Sequence, residues 1–391
     1  MGHVNTVFHQ ILALIPRNKV DKLVEEHGGD HYVKRFDTWS HLVMMLFAQA
    51  TGKDSLRDLE ATYNAHQPRL YHLGAKPAPR STLADANKRR PWQIFQELYS
   101  VLLERCRSLT PKHSFRFKNP LFTIDSTVID LCLSVFPWAK FRKRKGAIKM
   151  HCRQDHSGLM PDIIIVTDGK RHDVKMAPHL TKDLIPDSIV SFDKAYIDFK
   201  WLNSLTNRGV FFVTRAKENL DYSVVGQHDE PEKNNIISDE IIKLNGPKSA
   251  SLYPQELRLV KFRDYEKNKT YVFITNNFDL AASTIAAIYK ARWMIELLFK
   301  WIKQNLKIKS FLGTSKNAVL TQIWAAMIYY MLLSYLKLQS RYKYSLHTLT
   351  EIIGATLFHR VSLFDLLSLN KNSLHKLDED HTLQLLLPMR L

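Results

Sequence analysis

Tyr289, Arg292, Glu296, Lys300 and Lys303 form the stripe Y-x-x-R-x-x-x-E-x-x-x-K-x-x-K. At about 100° per residue, these five side chains fall within roughly 80° of one another on a helix. Ile288, Ala291, Met294, Ile295, Leu297, Leu298, Phe299, Trp301 and Ile302 cover most of the remaining circumference. A helix that is apolar nearly all round belongs in an interior. A charged stripe on it must face a partner, a metal or an enclosed site, because unpaired buried charge is costly. One carboxylate flanked by Arg and Lys suits a group that holds a cation beside a polyanion.

Such a cation needs more oxygen ligands than Glu296 alone. Asp125 and Asp193 each end a hydrophobic run rich in β-branched residues, so each is expected at a strand end. Carboxylates there, near the Glu296 helix, can share divalent metals. Two hard cations held in this way polarise a scissile phosphate, activate the attacking water or hydroxyl and stabilise the leaving oxygen. Mg²⁺ suits the task because it takes few protein carboxylates and completes its shell with water and phosphate oxygens. Asp168 and Asp130 are rivals. Asp168 precedes Gly169, which favours a turn, and Asp130 lies one strand length beyond Asp125.

The elements that must position these groups change in texture along the chain. Residues 1 to about 115 read as helical, with apolar residues three and four apart through Leu42, Val43, Leu46 and Phe47, and again through Ile94, Phe95, Leu98, Val101 and Leu102. Between them Pro77 and Pro79 end one element, and Ser81 is expected to cap a helix carrying Asn87, Lys88, Arg89 and Arg90. That basic cluster suits DNA phosphates or a solvated turn equally. From about 116, strands are expected at 120–134, 147–152 and 163–167, then at 188–193 and 209–215 with helices between. Three consecutive strands followed by alternating helix and strand make an α/β mixed sheet with helices on its faces. Residues 216 to about 278 suit a β-rich insertion with strands at 257–263 and 270–275. After 313 the chain is helical again, with Trp324, Tyr329, Tyr330 and Tyr335 on a buried helix whose charge-free run is too short to span a bilayer comfortably.

Composition narrows the partner. The 391 residues carry 56 Lys plus Arg against 38 Asp plus Glu, a formal net charge of +18. Charge of that size attracts anionic polymers, of which nucleic acid is the commonest, and exceeds what solubility requires. A membrane surface is the rival, but no basic amphipathic tail stands out. Cys106, Cys132 and Cys152 are few, widely spaced and odd in number, which excludes a disulfide framework and C-x-x-C zinc spacing. With no secretory signal at the N-terminus, a reducing cytoplasm is expected.

Taken together, Tyr289, Arg292, Glu296 and Lys303 stand in the spacing Y-(2)-R-(3)-E-(6)-K, which resembles the signature of the IS4 family of bacterial insertion-sequence transposases. Ile124-Asp-Ser-Thr127 resembles the segment around that family's first catalytic aspartate. Phe192-Asp-Lys-Ala-Tyr196 is similar to the segment around its second, with Ala195 where the family has Gly. Thr275-Asn-Asn277 and Gln304 are also similar to the family pattern. The resemblance covers roughly 116–335.

It implies an RNase H-like catalytic core, a DDE triad of Asp125, Asp193 and Glu296 as metal ligands, and Mg²⁺ or Mn²⁺ as cofactor. It further implies cut-and-paste movement of an element with inverted terminal repeats, through a DNA hairpin that water reopens before strand transfer into target DNA. Tyr289, Arg292, Lys300 and Lys303 would then grip phosphates near the cleaved end. A swung-out base would stack on Trp293, Phe273 or Tyr271. Arg215 and the basic block Arg142, Lys143 and Arg144 are further expected DNA-backbone contacts, which position without specifying sequence.

The implied organisation is a helical DNA-binding region at 1–115, a core at 116–215, the β-rich insertion at 216–278, the catalytic helix at 279–312 and a helical region at 313–391. Two element ends held together imply a homodimer on DNA, in a bacterial cytoplasm and away from membranes. A nuclease without strand transfer and a non-catalytic DNA-binding derivative are the alternatives.

Overall fold

The computed structural model describes residues 5–142, 145–228, 235–306, 308, 310–340, 342–343 and 345–368. They fall into two compact units, Pro111–Lys300 and a helical unit made of Met1–Thr110 with Trp301–Leu391.

The first unit is built on one sheet. Its strands are β1 (Leu121–Leu131), β2 (Lys140–Arg142), β3 (Lys145–Asp155), β4 (Met160–Asp168), β5 (Ile189–Phe192), β6 (Phe211–Arg215), β7 (Tyr222–Gln227), β8 (Ile236–Leu244), β9 (Leu257–Asp264) and β10 (Lys269–Thr275). β1 pairs antiparallel with β3, which in turn takes both β2 and β4. On its other side β1 runs parallel to β5, and β5 parallel to β6. The order β4-β3-β1-β5-β6, an antiparallel meander joined to two parallel crossovers, is an RNase H-like core. Residues read as an insertion continue the same sheet: β10 joins β6, and β9, β8 and β7 follow outward, all antiparallel.

Side chains alternate between the two faces of each strand. Leu121, Ile189, Val213, Val260 and Phe273 face one way, against Ala282, Ile285, Ala286 and Ile288 of the helix Ala282–Ala291. Ile124, Val190, Phe192, Phe212, Leu259 and Ile274 face the other. There they meet Ala177 and Leu180 of the helix Asp173–Leu180, and Leu202 and Leu205 of the helix Phe199–Asn207. Burying Ile285 and Ile288 contributes about 1.5–3 kcal/mol each, which presses their helix against β5, β6, β8 and β9. The buried Arg258 fixes where that helix begins. It forks onto Asp239 at 2.8 and 2.6 Å and donates to the carbonyls of Asn277 and Leu280.

In the helical unit the apolar helix Lys316–Gln339 packs against Thr38–Thr51 and Gln93–Arg107. With 24 residues it is longer than the apolar run in the sequence indicates, and by length and composition it could cross a membrane. It is instead buried along nearly its whole length, with Trp324, Tyr329 and Tyr330 inside. The helix Arg80–Arg89 corrects two sequence expectations. Pro79 stands at its N-cap and Ser81 lies within its first turn, capping nothing. Asn87 and Arg90 are buried rather than turned to a partner: Asn87 Oδ1 bonds His41 Nε2 at 2.7 Å, and Arg90 Nε donates to the Gly29 carbonyl at 3.3 Å. Lys88 and Arg89 remain exposed.

Candidate active site

Strand register brings the two aspartates together. Thr123 pairs with Ser191 and Ile124 with Phe192 along the parallel β1–β5 pair, so Asp125 and Asp193 follow at the same level. Phe192 pairs with Thr214 along β5–β6, so Arg215 follows at that level too. Alternation puts all three on the face covered by the helix Ala282–Ala291. Asp125, Asp193 and Arg215 therefore stand side by side where the parallel strands β5 and β6 end, although Asp125 itself lies within β1, which runs on to Leu131 against β3 rather than ending at the aspartate as its sequence predicts. Asp193 caps the short turn Lys194–Tyr196, its Oδ1 accepting from Ala195 N at 3.0 Å. Ala195 is not among the positive-φ residues, so a side chain there brings no strain.

The Tyr289–Lys303 stripe lies on two helices rather than one. Ala282–Ala291 ends before Arg292 and Trp293–Asn305 begins after it. At the junction Arg292 N bonds the Tyr289 carbonyl and Ile295 N bonds the Arg292 carbonyl, both at 3.2 Å and both over three residues. No Pro or Gly marks the break. The turn tightens where the Arg292 side chain is drawn down to β1. Arg292 Nη1 donates to Asp125 Oδ2 at 3.1 Å, and Nη2 to Glu296 Oε1 at 2.6 Å. Nor is this helix enclosed on every side: Trp293 is 57% and Leu297 42% exposed, one turn apart beside Glu296. The all-round apolar pattern predicts burial for Leu297, which the structure instead leaves open beside Trp293.

The carboxylates feel one another. Burial pushes the Asp125 carboxyl up to about 6, with the charges of Glu296 and Asp193 adding to the rise. The Ser126 backbone amide, 2.8 Å from Oδ1, and the Arg292 guanidinium pull the other way. Burial likewise lifts the Tyr289 hydroxyl, which Arg292, Asp193 and Arg215 all reach electrostatically. Tyr289 packs on Phe273 with ring centroids 5.0 Å apart, and Arg215 lies 5.2 Å from the Tyr271 ring centroid. Asp125, Asp193, Tyr289, Arg292, Glu296 and Arg215 thus form one cluster.

Lys300 is exposed one turn beyond Glu296. Lys303 sits on the last turn of the same helix but belongs to the helical unit. Arg142 ends β2, while Lys143 and Arg144 lie outside the described residues. Asp168 takes the turn role, with Oδ1 accepting from Lys170 N at 3.1 Å, and Asp130 is exposed.

Three features escape a reading by spacing. An open groove beside Asp193 is lined by Lys194, Lys217, Glu218 and Asn219. Behind the aspartates, Thr123 Oγ1 lies 2.7 Å from both Ser191 Oγ and His156 Nε2 in a fully enclosed polar relay. The signal for it was present: Thr123 and Ser191 each precede a catalytic-context aspartate by two residues. Thr275-Asn-Asn277 is architectural. Asn276 Oδ1 accepts from Phe212 N at 2.8 Å, and Asn277 Oδ1 accepts from Leu280 N at 2.9 Å ahead of the Ala282 helix.

Three carboxylates are the hard oxygen donors that Mg²⁺ or Mn²⁺ takes, so the donor set fits a divalent cation. Among the described residues no three His, Cys, Asp or Glu side chains are gathered closely enough to hold an ion as they stand. In this arrangement the Arg292 guanidinium bridges two of the three.

An RNase H-like sheet with one acidic side chain within its first core strand and another just past the end of its fourth defines a class of nucleic-acid-processing phosphoryl-transfer proteins. Residues 116–332 match the transposase DDE domain, and the chain belongs to that family. A domain of unknown function matches residues 3–76. The chain is 34% identical to a putative transposase of Sinorhizobium fredii, y4zB, over 75% of its own length and 80% of that protein. It is 29% identical to a probable transposase for insertion sequence element IS5377 of Geobacillus stearothermophilus, over 71% and 74% of the two chains. A putative transposase for insertion sequence element IS4SA of Synechocystis is 25% identical over 66% and 71%.

Proposed function

We propose that this DDE transposase recognises the terminal inverted repeats of its own insertion sequence, cuts at the element ends and joins them to target DNA. The observation carrying this reading is the level placement of Asp125 and Asp193 on adjacent parallel strands, on the face from which Arg292 and Glu296 approach. Asp125, Asp193 and Glu296 hold Mg²⁺, or Mn²⁺ in its place. The cation, when bound, polarises the scissile phosphate and lowers the pKa of the attacking water or 3′-hydroxyl. Around it Tyr289, Arg292 and Arg215 orient the phosphates flanking the cut, and Lys300 and Lys303 extend the grip along the backbone. Lys194 and Lys217 line the groove on the Asp193 side, where the strand continues.

Cleavage through a hairpin requires the terminal base to leave the stack. Of the three aromatic candidates, Trp293 has the open face, because Phe273 is buried and Tyr271 is half-buried under Arg215. Residues 1–115 serve DNA binding, with the basic block 142–144 as a further backbone contact. Two chains act together on a pair of ends, in the bacterial cytoplasm.

The test is direct. The full chain, incubated with duplexes carrying the repeats that flank its gene and with Mg²⁺, nicks and then releases the ends and joins them to a target plasmid. Glu296→Gln keeps duplex binding and loses cutting by orders of magnitude. Normal cutting by that variant would overturn the triad. Cutting without joined product would leave a nuclease.

A further inference from the structure

Arg292 stands where a cation belongs. Its two terminal nitrogens are spent on Asp125 and Glu296, carboxylates from a strand and from a helix that share no other direct hydrogen bond among the described residues. Its Nε is buried and outside both carboxylate bonds, on a guanidinium that also lies within reach of the Tyr289 hydroxyl. Its guanidinium carbon lies 5.5 Å from the Tyr289 ring centroid, leaving the planar group lodged beside an aromatic ring. The residue is rooted at the one tightened turn between two helices.

Each feature bears on the metal site proposed above. Oxygen lone pairs that accept from a guanidinium are not free for a divalent ion, and the guanidinium's charge repels one. Yet the three carboxylates cannot be left without positive charge at close range. A guanidinium is also the side chain whose fork matches a phosphate as well as a carboxylate.

We propose that Arg292 is the exchangeable counter-ion of the carboxylate site. Without DNA it bridges Asp125 and Glu296 and keeps divalent cations out. A DNA phosphate draws the guanidinium away, and the freed carboxylates then accept metal. Metal and DNA thereby promote each other's binding by the same factor, so the protein is loaded for cutting only on DNA. The inference rests on the reading of Asp125 and Glu296 as metal ligands.

Mn²⁺ binding to the full chain, followed through the free-ion EPR signal, tests it without any cutting. Wild type binds Mn²⁺ weakly alone and about tenfold or more tighter with a short blunt duplex. Arg292→Ala, and the better-packed Arg292→Gln should the alanine variant melt early, bind Mn²⁺ about tenfold tighter than wild type without DNA, and the duplex adds little. If both variants leave the DNA-free affinity unchanged or weaken it, Arg292 is an ordinary structural bridge and the proposal falls. Glu296→Gln separates the two readings. If it leaves Mn²⁺ binding on the duplex untouched, the ligand assignment has failed, whatever Arg292 does.

Discussion

The hydroxyls of Thr123 and Ser191 lie 2.7 Å apart across the parallel β1–β5 pair, each two residues before one of the paired aspartates. Both are fully buried, and His156 Nε2 completes the relay at 2.7 Å from Thr123. The contact locks the register that levels Asp125 with Asp193. Thr123→Val keeps the shape but strands His156 Nε2 and leaves Ser191 only its long bond to the Phe122 carbonyl, a loss of about 1–3 kcal/mol. Urea unfolding should show that loss, and end cleavage should fall further than duplex binding. Cleavage and binding falling in parallel would reduce the relay to mere stability.

Two buried histidines make the protein acid-sensitive. Burial, aided by the charge of Arg90, holds His41 neutral down to about 3, and burial with the charge of His113 holds His156 neutral down to about 4. Unfolded, both protonate near the ordinary 6.5. Below that pH the unfolded chain binds protons that the native one refuses, so stability falls on acidification, by about 1.4 kcal/mol per pH unit for each group. Denaturation midpoints measured from pH 7 to 4.5 should fall steadily, and His41→Gln should flatten the slope. A flat profile in wild type would show that the imidazoles are solvated.

How much of this was legible depends on what each segment buries. β5, β6 and the start of β1 are enclosed on both faces, so their β-branched runs stand out and the aspartate after each run is visible, but nothing in the run shows that β1 continues past Asp125 to Leu131. β7 and β8 are half-exposed, with Val224, Val225 and Ile237 turned outward, and their mixed pattern hides them. Of the stripe from Tyr289 to Lys303, Tyr289, Arg292 and Glu296 come together, but on two helices rather than one, and Lys303 belongs to the helical unit. Local sequence around Ala291 and Arg292 favours an unbroken helix, and the break comes from a tertiary pull toward Asp125. Asn87 and Arg90 misled for a related reason: spacing shows that polar residues share a helix, but not that His41 and the Gly29 carbonyl wait inside to receive them.

The edge formed by Arg215 and the Asp193 groove gives a salt-dependent prediction. Each phosphate contact removed lowers the slope of log affinity against log salt by about 1. Arg215→Ala and Lys217→Ala should each do so in titrations of an element-end duplex, with little change in the thermal midpoint, since Lys217 is exposed and Arg215 half-buried. Unaltered slopes in both would take the DNA path away from this side of Asp193.

Trp293 offers the last and most specific prediction. An indole more than half exposed beside Glu296 and Arg292 gives up burial the fold could have used, which fits a ring kept open for a nucleobase. Stacking one base contributes about 1–3 kcal/mol by alanine substitution, equal to roughly 5- to 150-fold in rate if it is gained only as the end distorts. Trp293→Ala should slow processing of a fully paired end within that range while leaving nicking near wild type, and Trp293→Phe should keep most of the activity. The decisive readout is the substrate. An end built with its terminal nucleotide already unpaired should restore much of the alanine variant's rate, because the unstacking the ring assists has been done beforehand. If Trp293→Ala handles paired and unpaired ends equally badly, the ring supports the helix rather than a base; if it handles both like wild type, the exposed indole has no part in the reaction.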